Sequence, residues 1–91
     1  MVHVRQTPTF KRAAKRLHKR QKRELDEAVR AIVADPMIGE AKVGDLAGVR
    51  VHKFRISKQL ALLAYELLNA EDAIKLLALG SHENFYRDLK R

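Results

Sequence analysis

The chain has 91 residues, enough for one domain over 1–91 with one modest core and no second lobe. Its hydrophobic content of 46% is ordinary for a folded protein, and the absence of cysteine excludes a disulfide framework and a thiolate metal site. Nineteen Lys and Arg against eleven Asp and Glu give a formal charge of +8, and residues 1–23 hold nine of those cations and no acid, so the chain is drawn toward a polyanion: nucleic acid or an acidic protein.

Val2 and Val4 alternate with His3 and Arg5, which predicts a short first strand and is too short and too charged for a secretion signal. Thr7-Pro8 then predicts a helix start, with Thr7 as N-cap and Pro8 at the first helical position, where its missing N–H costs nothing. Phe10, Ala13, Ala14 and Leu17 follow at helical spacing, with Lys11, Arg12, Lys15, Arg16 and Lys19 on the other faces. A second apolar stripe, Leu25, Ala28, Val29, Ile32 and Val33, stops at Asp35-Pro36, because proline disfavours a helical residue before it. One helix across both stripes would run about 40 Å, too long for so small a core. A helical hairpin turning near His18 to Lys22 is therefore expected.

Met37 to Ala47 reads as a loop, with Gly44-Asp45 and Gly48 as punctuation. Val49 to Ile56 is rich in β-branched residues and predicts a strand, Ser57-Lys58 a turn, and Leu60 to Leu67 a central strand that is apolar at nearly every position. Asn69 to Asp72 predicts a second turn and Ala73 to Leu79 a third long strand, ended by Gly80. Ser81 then caps a short C-terminal helix carrying Phe85 and Leu89. The order β-α-α-β-β-β-α predicts an α+β fold in which an N-terminal helical hairpin packs on a small antiparallel sheet.

His3, His18, His52 and His82 are not spaced as a pair on one helical turn, and no carboxylate cluster accompanies them, so no metal is expected. Neither a Walker-type glycine loop nor a Gly-x-Ser-x-Gly elbow occurs, and no cofactor is implied. The most apolar run, Leu60 to Leu68, is broken by Glu66 and falls short of a membrane span, so no membrane role and a cytoplasmic location are expected.

Two constellations can carry chemistry. In Gly80-Ser81-His82-Glu83-Asn84-Phe85-Tyr86, His82 falls in the first turn of the expected helix, where the positive end of the dipole disfavours imidazolium and keeps a neutral base. Tyr86 stands one turn on, able to donate a hydrogen bond or stack on a base. These residues alone fit at least as well a histidine at a helix start and a tyrosine packed on the sheet. On the strand from Val49, alternation puts Arg50 and His52 on the side of Phe54 and Ile56, and Lys53 and Arg55 on the side away from the helices. Lys53 and Arg55 can hold a phosphate, although a charged strand face in water is the plainer account of them.

Over essentially its whole length the chain resembles the RelE/ParE superfamily of type II toxins, and most closely the YafQ-like branch of ribosome-dependent messenger RNA endonucleases. Gly44-Asp45-Leu46-Ala47-Gly48-Val49-Arg50 and the Gly80–Tyr86 segment carry the likeness, the second more specifically. In that branch a histidine two positions after the glycine acts in proton transfer, with an aromatic residue four further on; His82 and Tyr86 match. The branch also carries an aspartate and a histidine near Val51 and Lys53, and RelE an arginine near Leu62, and this chain has none of these.

The resemblance implies a microbial-ribonuclease-like fold, metal-free cleavage of messenger RNA on the ribosome, and a cognate antitoxin whose complex with the toxin binds operator DNA. His82, Tyr86, Lys53 and Arg55 would form the catalytic set. Arg12, Lys15, Arg16, Lys19, Arg50 and His52 would contact RNA. The ParE branch, which shares the fold but poisons DNA gyrase without catalysis, is the alternative.

Overall fold

The computed structural model describes residues 3–81. β1 (His3–Gln6), α1 (Pro8–Lys15), α2 (Lys19–Ala34), β2 (Glu40–Ala41), β3 (Val49–Ile56), β4 (Gln59–Leu68) and β5 (Ala73–Gly80) follow in chain order and build the expected α+β fold around one sheet, ordered β1-β5-β4-β3-β2. The C-terminal helix expected after Ser81 lies outside the described residues.

Thr7 caps α1: its Oγ1 accepts from the Phe10 N–H at 3.0 Å and donates to the Leu77 carbonyl of β5 at 2.7 Å, which ties the helix start to the sheet. The hairpin turns at Arg16–His18, earlier than expected, because His18 is already the N-cap of α2 and its N–H is taken by the Gln21 side chain at 3.2 Å. Phe10, Leu25 and Ile32 bury the helices' apolar faces against Leu63, Tyr65, Ile74 and Leu76. Val51, Leu62, Ala64 and Ala78 form a second buried cluster. They lie on the opposite face of the sheet, so that face is not the fully open surface that the strand charges suggested.

Two features correct the expectation of an antiparallel sheet after a simple loop. β2 to β5 are antiparallel, but β1 joins β5 in parallel, with Val4 beside Ile74 and Gln6 beside Leu76. A parallel neighbour needs a long crossover, and both helices and three strands separate β1 from β5 along the chain. Within the expected loop, Glu40 and Ala41 pair with Val51 and Arg50 as a two-residue edge strand. In β5 the register shifts: Ala64 pairs with Ala78 but Tyr65 with Leu76. The extra residue, Leu77, lets an apolar run serve both faces.

Tyr65 fastens the chain that leaves α2. Its buried hydroxyl donates to the Pro36 carbonyl at 2.6 Å and accepts from the Gly39 N–H at 2.9 Å. At Gly39 a Cβ would lie 2.7 Å from that hydroxyl, so no larger residue fits without movement. The β3–β4 turn takes positive φ at Ser57 (51°) and Lys58 (69°), the conformation of a two-residue hairpin turn. Glu24 of α2 holds this turn by accepting from the Ser57 N–H at 3.2 Å.

Candidate functional site

Alternation along β3 sends its charged side chains to two different faces. Phe54 packs with the helix-side core, and Arg50 and His52 share its side. Val51 belongs to the opposite cluster, and Lys53 and Arg55 project with it, as expected from the sequence. Both cations are exposed. Lys53 has no hydrogen-bond or ion-pair partner among the described residues, and Arg55 donates one Nη1 bond to the Lys58 carbonyl at 3.1 Å. A guanidinium has five donors, so most of Arg55 remains available to an anion.

The register aligns Lys53 with the end of β5. Lys53 stands opposite Leu62, and Leu62 opposite Gly80. Two strand spacings of about 4.8 Å put the Lys53 and Gly80 backbones roughly 10 Å apart. Ser81, exposed, follows directly. Lys53 thus stands two strands from the point where the chain reaches Ser81, in the same cross-strand row. His82 and Tyr86 themselves lie outside the described residues.

Arg50 and His52 are not brought to that place. Arg50 is half-buried on the helix side, where its Nη1 donates to the Gly39 carbonyl at 2.7 Å and to the Met37 carbonyl at 3.4 Å. His52 stacks on Phe54 with ring centroids 5.8 Å apart and planes 9° from parallel. Burial lowers its pKa, which keeps the imidazole neutral near pH 7.

Of the helix cations, Arg12, Lys15, Arg16 and Lys19 are all exposed but do not form one stripe. Arg16 lines a cleft of about 220 Å³ with Gln21, Gln59, Leu60, Gly80 and Ser81, at the same end of the sheet as the strand cations. Lys15 faces a different groove, beside β1. Sequence reasoning missed Gln21 and Gln59 as cleft residues. The only hint was that Gln21 is an uncharged break in a run of cations. Among the described residues no three His, Asp or Glu side chains converge as metal ligands, and no helix is long and apolar enough to cross a membrane.

A family model for the ParE-like toxins of type II bacterial toxin–antitoxin systems matches residues 4–90. No curated protein matches the chain. Among solved structures, the intact E. coli RelBE toxin–antitoxin complex is similar with a TM-score of 0.75 at 14% identity, over 91% of this chain and 99% of that one. The RelBE2 toxin–antitoxin complex of Mycobacterium tuberculosis gives 0.76 at 19% identity, over 89% and 98%. The archaeal RelE–RelB complex of Pyrococcus horikoshii gives 0.62 at 18% identity, over 90% and 96%. At these identities the likeness is one of fold.

Proposed function

The chain belongs to the ParE-like toxins of type II bacterial toxin–antitoxin systems, and on that premise we propose that it is a metal-independent endoribonuclease that cuts messenger RNA on the ribosome. A cognate antitoxin holds it inactive, and operator DNA is met only through that complex. The similarity to chains from RelBE complexes supports a protein partner of this kind.

One observation supports the nuclease reading: Lys53, exposed and without a partner among the described residues, stands in one cross-strand row with Leu62 and Gly80, the residue at which β5 ends. In the reaction a base takes the proton of a ribose 2′-OH. The 2′-oxygen attacks phosphorus, the bond to the 5′-oxygen breaks, and an acid protonates the leaving oxygen, which leaves a 2′,3′-cyclic phosphate. His82 serves as one proton-transfer group and Tyr86 as the second or as a stacking surface. Lys53 and Arg55 stabilise the charge that builds on the phosphoryl oxygens. DNA, lacking the 2′-OH, is not cut. Arg16 and the other helix cations attract RNA phosphates without reading sequence.

The match to a ParE-like family, together with the buried apolar Leu62 near which the resemblance to RelE would expect an arginine, favours a second reading as a non-enzymatic gyrase inhibitor. Induced expression separates the two. Translation arrest with cut transcripts, abolished by His82→Ala in a protein that keeps its unfolding temperature, is the expected result. A folded His82→Ala variant that still arrests growth, or a DNA-damage response with intact transcripts, overturns the nuclease.

A further inference from the structure

Where β3 turns into β4 and β5 runs out to Ser81, the helix side of the sheet carries a small cleft of about 220 Å³. The last turn of α1 and the first turn of α2 close it from one side, through Ala13, Arg16, Leu17 and Gln21. Ile56 and Ala61 form a buried floor, and half-buried Leu17 and Leu79 stand as apolar walls.

The polar groups on the lining are few and mostly uncommitted. Arg16 is its one charged residue, exposed and with no side-chain partner among the described residues. The side-chain amide of Gln59 has none either, and it stands on the helix side because Gln59 pairs with buried Ile56. Gln21 is held in place: its Nε2 donates to Ser57 Oγ at 3.3 Å and its Oε1 accepts from the His18 N–H at 3.2 Å. One of its amide hydrogens stays available. Leu60 joins the cleft to the strand cations, since it lines the cleft, is 43% exposed and stands directly opposite Arg55 in the β3–β4 pairing. Residues opposite each other have Cβ atoms about 4.5–5.5 Å apart, so a phosphate on Arg55 lies one short step from the cleft mouth.

We propose that this cleft is a base-recognition subsite for single-stranded RNA held at the strand cations. One nucleobase next to the scissile phosphate turns over Leu60 into the cleft, with its faces against Leu17 and Leu79, its edge on the Gln59 amide and its own phosphate on Arg16. The inference rests on the nuclease reading and extends it from cleavage to the choice of cut site. A carboxamide sets a donor beside an acceptor, the pattern through which base edges are read. Apolar walls with a few convergent polar groups are the usual form of a small-ligand site, and this volume lies below the roughly 300–1,000 Å³ that encloses larger ligands. It suits one ring system and is too small for a helix or a folded peptide. With no carboxylate on the lining to oppose it, Arg16 selects an anionic ligand.

Titration of the isotope-labelled protein with AMP, GMP, CMP and UMP tests the cleft without any cleavage. At least one of the four is expected to shift the side-chain amide signals of Gln21 and Gln59 together with the backbone amides of Leu17 and Leu60. Gln59→Leu and Arg16→Gln should each weaken that nucleotide by at least about fivefold. Inorganic phosphate should leave the Gln59 side-chain signal in place. Equal shifts from phosphate alone, or none from any of the four nucleotides, would overturn the proposal. Cut-site mapping on ribosome-bound messenger RNA reads the consequence: Gln59→Leu should change the base preference at one position beside the cut by about tenfold, whereas Lys53→Ala should slow all sites alike. An unchanged cut-site profile in a folded Gln59→Leu protein would remove the base-reading role. If the wild type cuts no transcript, the nuclease reading falls, and the nucleotide titration alone decides whether the cleft binds a base.

Discussion

Replacing Tyr65 by phenylalanine removes one oxygen from the interior and should be among the more damaging conservative changes in the chain. The ring stays in the core, where the residue is fully buried. What disappears is the hydroxyl's donation to the Pro36 carbonyl at 2.6 Å and its acceptance from the Gly39 N–H at 2.9 Å. A net hydrogen bond contributes about 1 kcal/mol, and a buried donor left without a partner costs about 1–3 kcal/mol. Gly39 is buried and its N–H stays orphaned, whereas Pro36 is half-exposed and its carbonyl regains water. The expected loss is about 2–3 kcal/mol, read by urea unfolding with an unchanged m-value. At about 4–8 °C per kcal/mol for a domain of this size, the Tm falls by roughly 10–20 °C. Arg50 grips the same segment through the Gly39 carbonyl at 2.7 Å. Tyr65→Phe and Arg50→Met should therefore be non-additive by about 0.5 kcal/mol or more. The pH dependence has a definite sign. Burial, against smaller opposing effects of the Gly39 hydrogen bond and Arg50, raises the Tyr65 pKa. Its contribution is complete below the ordinary tyrosine value of about 10 and is lost as pH rises through the folded value. Tyr65→Phe should flatten that alkaline loss. A destabilisation under about 0.5 kcal/mol with additive double variants would refute this account of the 36–39 segment.

Three further outcomes are expected. Because burial depresses the His52 pKa, its contribution to stability is present above about pH 6.5 and is lost as pH falls toward the folded value; the Tm of the wild type should drop across that acid range more steeply than that of His52→Gln, and parallel curves would exclude the effect. Ser57 and Lys58 both hold positive φ without being glycine, so Ser57→Asn/Lys58→Gly should stabilise the turn by about 1 kcal/mol in urea unfolding; an unchanged midpoint would mean that the Glu24 contact and the bond that the Gln21 amide donates to Ser57 Oγ at 3.3 Å already offset the strain. Lys53→Ala should lower the rate of RNA cleavage on programmed ribosomes by about 10²-fold with no change in Tm, and a loss smaller than about threefold would remove Lys53 from the clamp.

Much of this architecture is legible in the residues. Val49 to Ile56 is a strand in sequence and in structure, since β-branched alternation is bracketed by Gly48 and the Ser57-Lys58 turn. The Thr7-Pro8 helix start and the separation of Lys53 and Arg55 from Phe54 follow from equally local rules. The parallel seat of β1 is not local: nothing in His3–Gln6 names β5 as its neighbour, because that depends on the path of the chain between them. The bulge at Leu77 is hidden because Ile74 to Leu79 is mostly apolar, and an apolar run carries no face label. Arg50 is the instructive case for the site. On a strand its charge looks like a ligand for RNA, yet its guanidinium holds the carbonyls that follow α2. Only the fold brings residue 39 to residue 50.

That division of labour bears on how a nuclease could work on this sheet. Leu62 is 1% exposed and packs with Val51, Ala64 and Ala78. The centre of the face is thus apolar, and the available cations, Lys53, Arg55 and Arg16, stand around one end of the sheet where β5 delivers Ser81. Charges exposed at a rim act through more water than charges set in a cleft, and each stabilises a transition state less. A nuclease built this way would lean more heavily on proton transfer at His82 than on its phosphate clamp. It would also gain from a ribosome that excludes water and fixes the RNA backbone. His82→Ala should then cost far more activity than Lys53→Ala. The reverse ranking, measured on ribosome-bound messenger RNA, would place the catalytic weight on the strand.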